Sequence, residues 1–290
     1  MIIRNYQKRD AMCLAQIRQR LGASGTAVSL HRYFRNVQQA GGQSWVGLAN
    51  GRLLGAITVA PLPGLPHLLQ LNGFVAPEQQ RQGYASQLLA HVRQELANSG
   101  LTLTLGVDDL NSVVVRFLQK EQFEIGHEEC MMVLDLKDAK TAVLHPPPHP
   151  AVSVRTLSRQ KAVRQFIELY DTSFTPHPWY QPFTLADVED ELGDAKDLLF
   201  IYEQQQPLGF IWLQQHGTQV EFEPIGIVPA AQGKGYGRWL VETAVYQVAQ
   251  QGIEEIHLGV WRQNEGAVHL YQSLGFVHKS SRTYFVQKLG

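Results

Sequence analysis

Cysteine is almost missing from this 290-residue chain, which has only Cys13 and Cys130. Two distant thiols without CxxC spacing or a Cys/His cluster argue against a disulfide framework and against zinc, and no metal is expected. A stretch of about 18 apolar residues, the minimum for a membrane span, is also lacking. The opening segment MIIRNYQKRD has no apolar core of the kind a secretion signal needs. A cytoplasmic chain with no membrane anchor is therefore expected. Nor is there an excess of charge of either sign, since 25 basic residues face 26 acidic ones. Nucleic acids and anionic membranes are held by broad positive fields, so neither is an expected partner, and a polyanionic ligand must be gripped locally. What is present is a 44% hydrophobic, 18% charged composition, enough to bury a core in each of two ordinary domains.

The chain repeats once. FVAPEQQRQGYASQLL, from Phe74 to Leu89, matches GIVPAAQGKGYGRWLV, from Gly226 to Val241, at an offset of 152 positions. IIRNYQKRDAMCLAQIRQR and VSVRTLSRQKAVRQFIELY each read as a short strand followed by an amphipathic helix. Between the copies lies LHPPPHPAV, whose prolines stop helices and deny ladder hydrogen bonds. Domains at residues 1–140 and 152–290 follow, joined by a linker at 141–151 in which His145 and His149 read as solvated. In the second copy, Asp197–Gln206 and Pro207–Gly217 read as a hairpin and Thr218–Val228 as a third strand. Arg238 to about Gln251 reads as a helix, Ile253–Trp261 as a strand, Glu265–Gly275 as a helix and Arg282–Leu289 as a last strand. That order predicts an α/β fold with a mixed sheet and helices on both faces.

Gln232-Gly233-Lys234-Gly235-Tyr236-Gly237 sits between a strand and a helix, where glycines let successive N–H groups turn toward one point. With the positive end of the helix dipole and the side chains of Lys234 and Arg238, such a point attracts a phosphate. Arg238 occupies the place of the third glycine of GxGxxG, and Gly235 follows Lys234 where a P-loop needs Ser or Thr, so neither a Rossmann site nor an NTPase is indicated.

GIVPAAQGKGYG and NEGAVHLYQSLGF, in this order, resemble the pyrophosphate loop and following helix of the GNAT superfamily of acetyltransferases. The loop pattern Gln/Arg-x-x-Gly-x-Gly/Ala is met by Gln232, Gly235 and Gly237. The resemblance covers essentially the whole chain as two tandem GNAT (acyl-CoA N-acyltransferase) domains. It implies acetyl-CoA as cosubstrate, lying where two central strands splay, with its pyrophosphate on the amides of residues 232–238. It also implies that a backbone N–H near Ile227 or Val228 polarises the thioester carbonyl and that Asn264 faces the pantetheine arm or caps its helix. Among tandem members, the second half is similar to mycothiol synthases in EFEPIGIVPAAQ, in the HP-containing segment and in LGVWRQNEGAVHLYQSLGF.

Acetyl transfer to an amine needs the neutral nucleophile, and an amine of pKa near 10 is only about one part in a thousand neutral at pH 7. A base must take the proton. Glu221, eleven positions before Gln232, stands where members of the superfamily often carry the catalytic glutamate. Glu223 shares its face by strand alternation and assists or anchors substrate; side by side, the two carboxylates raise one pKa toward the working range. Tyr271 matches the residue that the superfamily aims at the coenzyme sulfur, which makes it the candidate acid for the leaving thiolate. The expected reaction is direct attack by a primary amine in a ternary complex (EC 2.3.1.-).

In the first copy the second candidate cofactor site comprises Val75, Gln80, Arg81, Gln82, Gly83, Tyr84 and Ala85. Leu69 stands there in place of Glu221 and Leu118 in place of Tyr271, so this half is expected to be structural or to bind coenzyme without turnover. Ser173–Leu192 is the candidate acceptor wall, with His177, Trp179 and Tyr180 as contacts. The acceptor is expected to be a small primary amine, with an amino sugar or cysteinyl conjugate leading and a peptide amino terminus, a lysine or an aminoglycoside as alternatives. The protein is expected to be a monomer or homodimer. The competing class is a non-catalytic acyl-CoA-binding or scaffolding protein, against which Glu221 and Tyr271 argue.

Overall fold

The computed structural model describes residues 1–137, 151–175, 177 and 179–290. The proline-rich linker, with His145 and His149, lies outside the described residues except for Ala151. The chain packs as two units, Met1–Gly126 with Thr283–Gly290, and His127–Arg282.

The first unit contains β1 (Ile2–Asn5), α1 (Ala11–Arg20), α2 (Ala27–Gln39), β2 (Gln43–Ala49), β3 (Arg52–Leu62), β4 (Leu65–Val75), α3 (Tyr84–Glu95), β5 (Thr102–Val107) and α4 (Val113–Lys120). Strands β1 to β4 pair antiparallel in sequence order. The β4–β5 contact is parallel and confined to Leu68–Gln70 against Thr102–Thr104, with α3 as the crossover. Leu14, Leu30 and Phe34 form one core, while Leu69, Leu88, Leu103 and Leu118 belong to another.

The second unit repeats this plan. β6 (Glu124–Asp135) enters it at His127 and is followed by β7 (Val152–Arg155), α5 (Arg159–Phe174), α6 (Leu185–Glu191), β8 (Leu198–Glu203) and β9 (Gln206–His216). β10 (Gln219–Ile227), α7 (Tyr236–Ala249), β11 (Glu255–Trp261) and α8 (Glu265–Ser273) complete it. Leu240, Val241, Ala244, Val245 and Val248 of α7 recur at helical spacing and are buried against Val220, Phe222, Ile256 and Leu258 of the sheet. The mixed sheet with helices on both faces is the architecture the element order predicts.

The units do not follow the repeat boundary. β6 belongs to the first repeat by sequence, yet it pairs antiparallel with β11, from Glu129↔Trp261 to Asp135↔Glu255. The last strand, β12 (Val277–Lys288), pairs with β5 from Thr283↔Val107 to Lys288↔Thr102. The expectation that RTYFVQKL closes the second copy is thereby corrected: each parallel pair is flanked by a strand from the other repeat. Hydrophobic alternation marks a strand but does not choose its neighbour.

Candidate active site

In the second unit the parallel contact of β10 with β11 covers only Gln219–Glu221 against Glu255–His257. Pro224 has no N–H to contribute to a ladder, and the register of β10 on β9 shifts between Phe222 and Ile225. Beyond Glu221 the two strands therefore part, leaving one edge of β10 open. The amide of Val228 donates to Leu208 O at 2.9 Å, on the β9 side. By alternation the N–H of Ile227 faces the opening instead. The side chain of Gln232 donates to Ile227 O there, at 2.9 Å. Of the two amides expected near the thioester, that of Val228 is thus already used, and that of Ile227 remains aimed into the gap.

The phosphate turn follows directly. Gly233 and Gly235 have φ of +75° and +89°, a left-handed conformation that side chains with Cβ resist. Gly235 is the N-cap of α7, so the amides of Tyr236, Gly237 and Arg238 open the helix with no preceding turn to accept from them. A Cβ on Gly233 or Gly235 would meet nothing within 4 Å, and one on Gly237 only Ile227 and Leu270 at 3.6 and 3.7 Å. The space in front of the turn is free, which suits an anion on the helix terminus.

Two side chains of the turn, Tyr236 and Arg238, are bonded within the protein. Tyr236 Oη donates to Glu203 at 2.5 Å, and the Arg238 guanidinium reaches Ser273 Oγ at 2.5 Å and Glu242 at 3.2 Å. Both lean on the protein itself. Asn264 accepts from the amide of Ala267 at 3.2 Å, which makes it the cap of α8. In the first unit the arrangement recurs: Gln80 donates to Val75 O at 3.3 Å, and Gly83, with φ of +81°, is the N-cap of α3. Gln82 donates to Glu78 O, and Arg81 takes a φ of +62°. Leu69 and Leu118 are buried in the core, where they carry no acid–base chemistry.

Glu221 and Glu223 line one cavity of about 280 Å³, with Tyr170, Phe183, Gln214 and Pro224. Burial, the charges of Glu221 and Glu129, and a hydrogen bond with Glu221 push the Glu223 carboxyl up to about 7. Tyr271 is held in α8 with its ring 5.9 Å from that of Phe276, and burial, then the charge of Glu223, keep its phenol well above the ordinary range. The tyrosine is thus protonated and within electrostatic reach of Glu223. Burial likewise lifts Tyr170 to about 12, and burial depresses His127 to about 4.

The aromatic candidates take other places. His177 packs edge-on against Trp261 at 5.0 Å, Trp179 lies 4.0 Å from the His127 ring, and Tyr180 Oη donates to Asp171 at 2.6 Å. The cavity wall is supplied instead by Tyr170 of α5 and by Phe183 of the Ser173–Leu192 segment, whose described residues are helical at the end of α5 and over α6. Gln214 and Glu129 were also missed. Gln214 sits opposite Glu221 across β9 and β10 and donates to Glu223 O at 2.9 Å, a placement legible once the hairpin register is assigned. Glu129 needed the exchanged strand. Among the described residues no group of three or more His, Cys, Asp or Glu is arranged to hold a metal ion.

A model of the acetyltransferase (GNAT) family matches residues 14–123 and again 163–276. The chain belongs to that family. Among curated relatives it is similar to the mycothiol acetyltransferase of Gordonia bronchialis, 30% identical over 134 residues that cover 43% of this chain and 44% of that protein. It is similar also to the mycothiol acetyltransferase of Kocuria rhizophila, 24% identical over 258 residues, 81% of each chain. Several such relatives, the Gordonia protein among them, are covered over less than half of their own length. A GCN5-related N-acetyltransferase from Sphaerobacter thermophilus shares the fold, with a TM-score of 0.67 at 17% identity over 99% of this chain and 95% of that one.

Proposed function

We propose that the protein is an N-acetyltransferase that moves the acetyl group of acetyl-CoA to a small primary amine by direct attack in a ternary complex. The observation that carries this reading is the juxtaposition, within one unit, of a clear glycine turn, an unpaired edge of β10 and a paired-carboxylate cavity. Acetyl-CoA supplies the activated thioester. The amides opening α7 hold its pyrophosphate, as the free space before Gly233 and Gly235 allows. The Ile227 N–H polarises the carbonyl oxygen as negative charge grows on it.

The Glu221–Glu223 pair acts as the base, with the buried Glu223 taking the proton. A carboxyl at about 7 is matched to a base working near neutrality. The amine lone pair forms the new N–C bond as its proton passes to the carboxylate. Tyr271, protonated in the resting site, delivers its proton to the departing thiolate as the C–S bond breaks and regains one from the carboxyl that took the amine's proton. The wall of two aromatics and two carboxylates, with no lysine or arginine among its described residues, suits a small cation without a carboxylate of its own. Relatives named mycothiol acetyltransferase favour a small-molecule acceptor over a protein lysine. The first unit, with Leu69 and Leu118 at the matching places, is structural or binds coenzyme without turnover. The absence of a charge excess and the two free cysteines support a cytoplasmic setting without nucleic-acid partners.

The test is thiol release from acetyl-CoA with a panel of amines, for the wild type and for Glu221→Gln, Glu223→Gln and Tyr271→Phe. Wild-type kcat/KM is expected to rise with pH up to about 7 and then level, because the base must be deprotonated. Equal rates for all four proteins would sink the assignment.

A further inference from the structure

From His127 onward β6 belongs to the second unit and lies beside β11, with Glu129 opposite Trp261. Alternation sends Cys130, Met132 and Leu134 into the core with α7 and α8. Glu129 therefore stands on the other face, that of Glu221, Glu223 and Gly259. Gly259 reports how closely they converge: a methyl group added there would lie 3.3 Å from Glu223 Oε2 and 3.6 Å from Glu129 Oε1. The two carboxylate oxygens are thus less than about 7 Å apart.

We propose that Glu129 is a positioning residue of this site: its charge, delivered on a strand of the first repeat, governs how readily Glu223 releases its proton, so the second repeat is catalytically complete only with that strand in place. The inference rests on Glu223 being the proton acceptor. Around Glu223 stand Glu221 on β10, Glu129 on β6, Tyr170 on α5 and Tyr271 on α8, while His257 and Glu255 on β11 pair with each other at 2.9 Å beside Glu221. With Glu221 already beside it, Glu223 faces a second like charge in Glu129. The effect on an incoming ammonium is the opposite, since both charges attract it.

The experiment is a carbon-13 NMR titration of the full chain labelled at glutamate carboxyls, without substrates, with the Glu223 signal assigned by its loss in Glu223→Gln. Glu129→Gln is expected to lower the Glu223 midpoint by about 0.4 to about 1.7 pH units, the range that Coulomb's law gives at about 7 Å between water-like and protein-like dielectrics. Glu129→Asp, which keeps the charge, is expected to leave the midpoint near the wild-type value. Glu129→Met serves as a second neutral replacement should the glutamine variant misfold. An unchanged midpoint in a folded neutral variant overturns the proposal. Because the titration needs no turnover, its outcome is separate from that of the base assignment, which falls if Glu223→Gln keeps full activity.

Discussion

Replacing Glu223 by glutamine is expected to abolish turnover and to make the protein more stable at neutral and alkaline pH. Its carboxyl is pushed from 4.5 to about 7, first by burial and then by the neighbouring carboxylates. The folded state therefore holds this proton more tightly than the unfolded chain between those two values. In that window the native protein binds more protons than the unfolded one, so wild-type stability falls as pH rises. At about 1.36 kcal/mol per pKa unit, keeping Glu223 ionised above pH 7 costs the fold about 3 kcal/mol. Glutamine has nearly the same shape and no charge, and escapes that cost. The two proteins are expected to melt together near pH 4.5 and to diverge through pH 7, where the variant gains about 6–12 °C at the usual conversion for a unit of this size. Scanning calorimetry of both proteins at pH 4.5, 6 and 8 reads this directly. A variant that is destabilised equally at all three values would refute the argument, because ionising Glu223 would then carry no cost for the fold.

Tyr271→Phe is expected to lower kcat/KM about a hundredfold while leaving stability within about 1 kcal/mol, whereas Tyr271→Ala costs about 3–5 kcal/mol by opening a hole beside Phe276; parallel kinetics and urea melts separate the two effects. Gly237→Val is expected to weaken coenzyme binding severely, as read by calorimetric titration. It leaves the melting temperature nearly unchanged, because its Cβ makes only ordinary contacts with Ile227 and Leu270. Gly83→Leu is expected to cost the first unit about 1–2 kcal/mol through its positive φ, yet to keep turnover within a few-fold. Lost activity in a folded Gly83→Leu protein would show that the first turn serves catalysis.

The elements of the second unit were legible because each carries a strong local signal. The β8–β9 hairpin, the glycine turn and the apolar spacing of α7 are set by residues within a few positions of one another. Glu221 and Glu223 share a cavity as alternation predicts, although the register shift at Pro224 interrupts the ladder just after them. What stayed hidden depends on tertiary neighbours. Asn264 reads equally well as a ligand contact or a helix cap, and only the 3.2 Å bond to Ala267 decides for the cap. His177, Trp179 and Tyr180 announce a wall by composition, but Tyr170 and Phe183, from the flanking helix and loop, reach the carboxylates.

Strand exchange has a chemical consequence that composition conceals. β6 and β12 occupy equivalent registers, Asp135 opposite Glu255 in one unit and Lys288 opposite Thr102 in the other. Counting back along each strand from those pairs, the position that Glu129 fills beside β11 is matched on β12 by Arg282. Had each repeat closed its own sheet, a guanidinium would stand near Gly259 where a carboxylate now does. An adjacent cation favours the ionised form of a buried acid and repels an ammonium, so Glu223 would be a weaker base in a site less hospitable to its acceptor. The exchange thus ties the identity of one residue in the first repeat to the proton chemistry of the second.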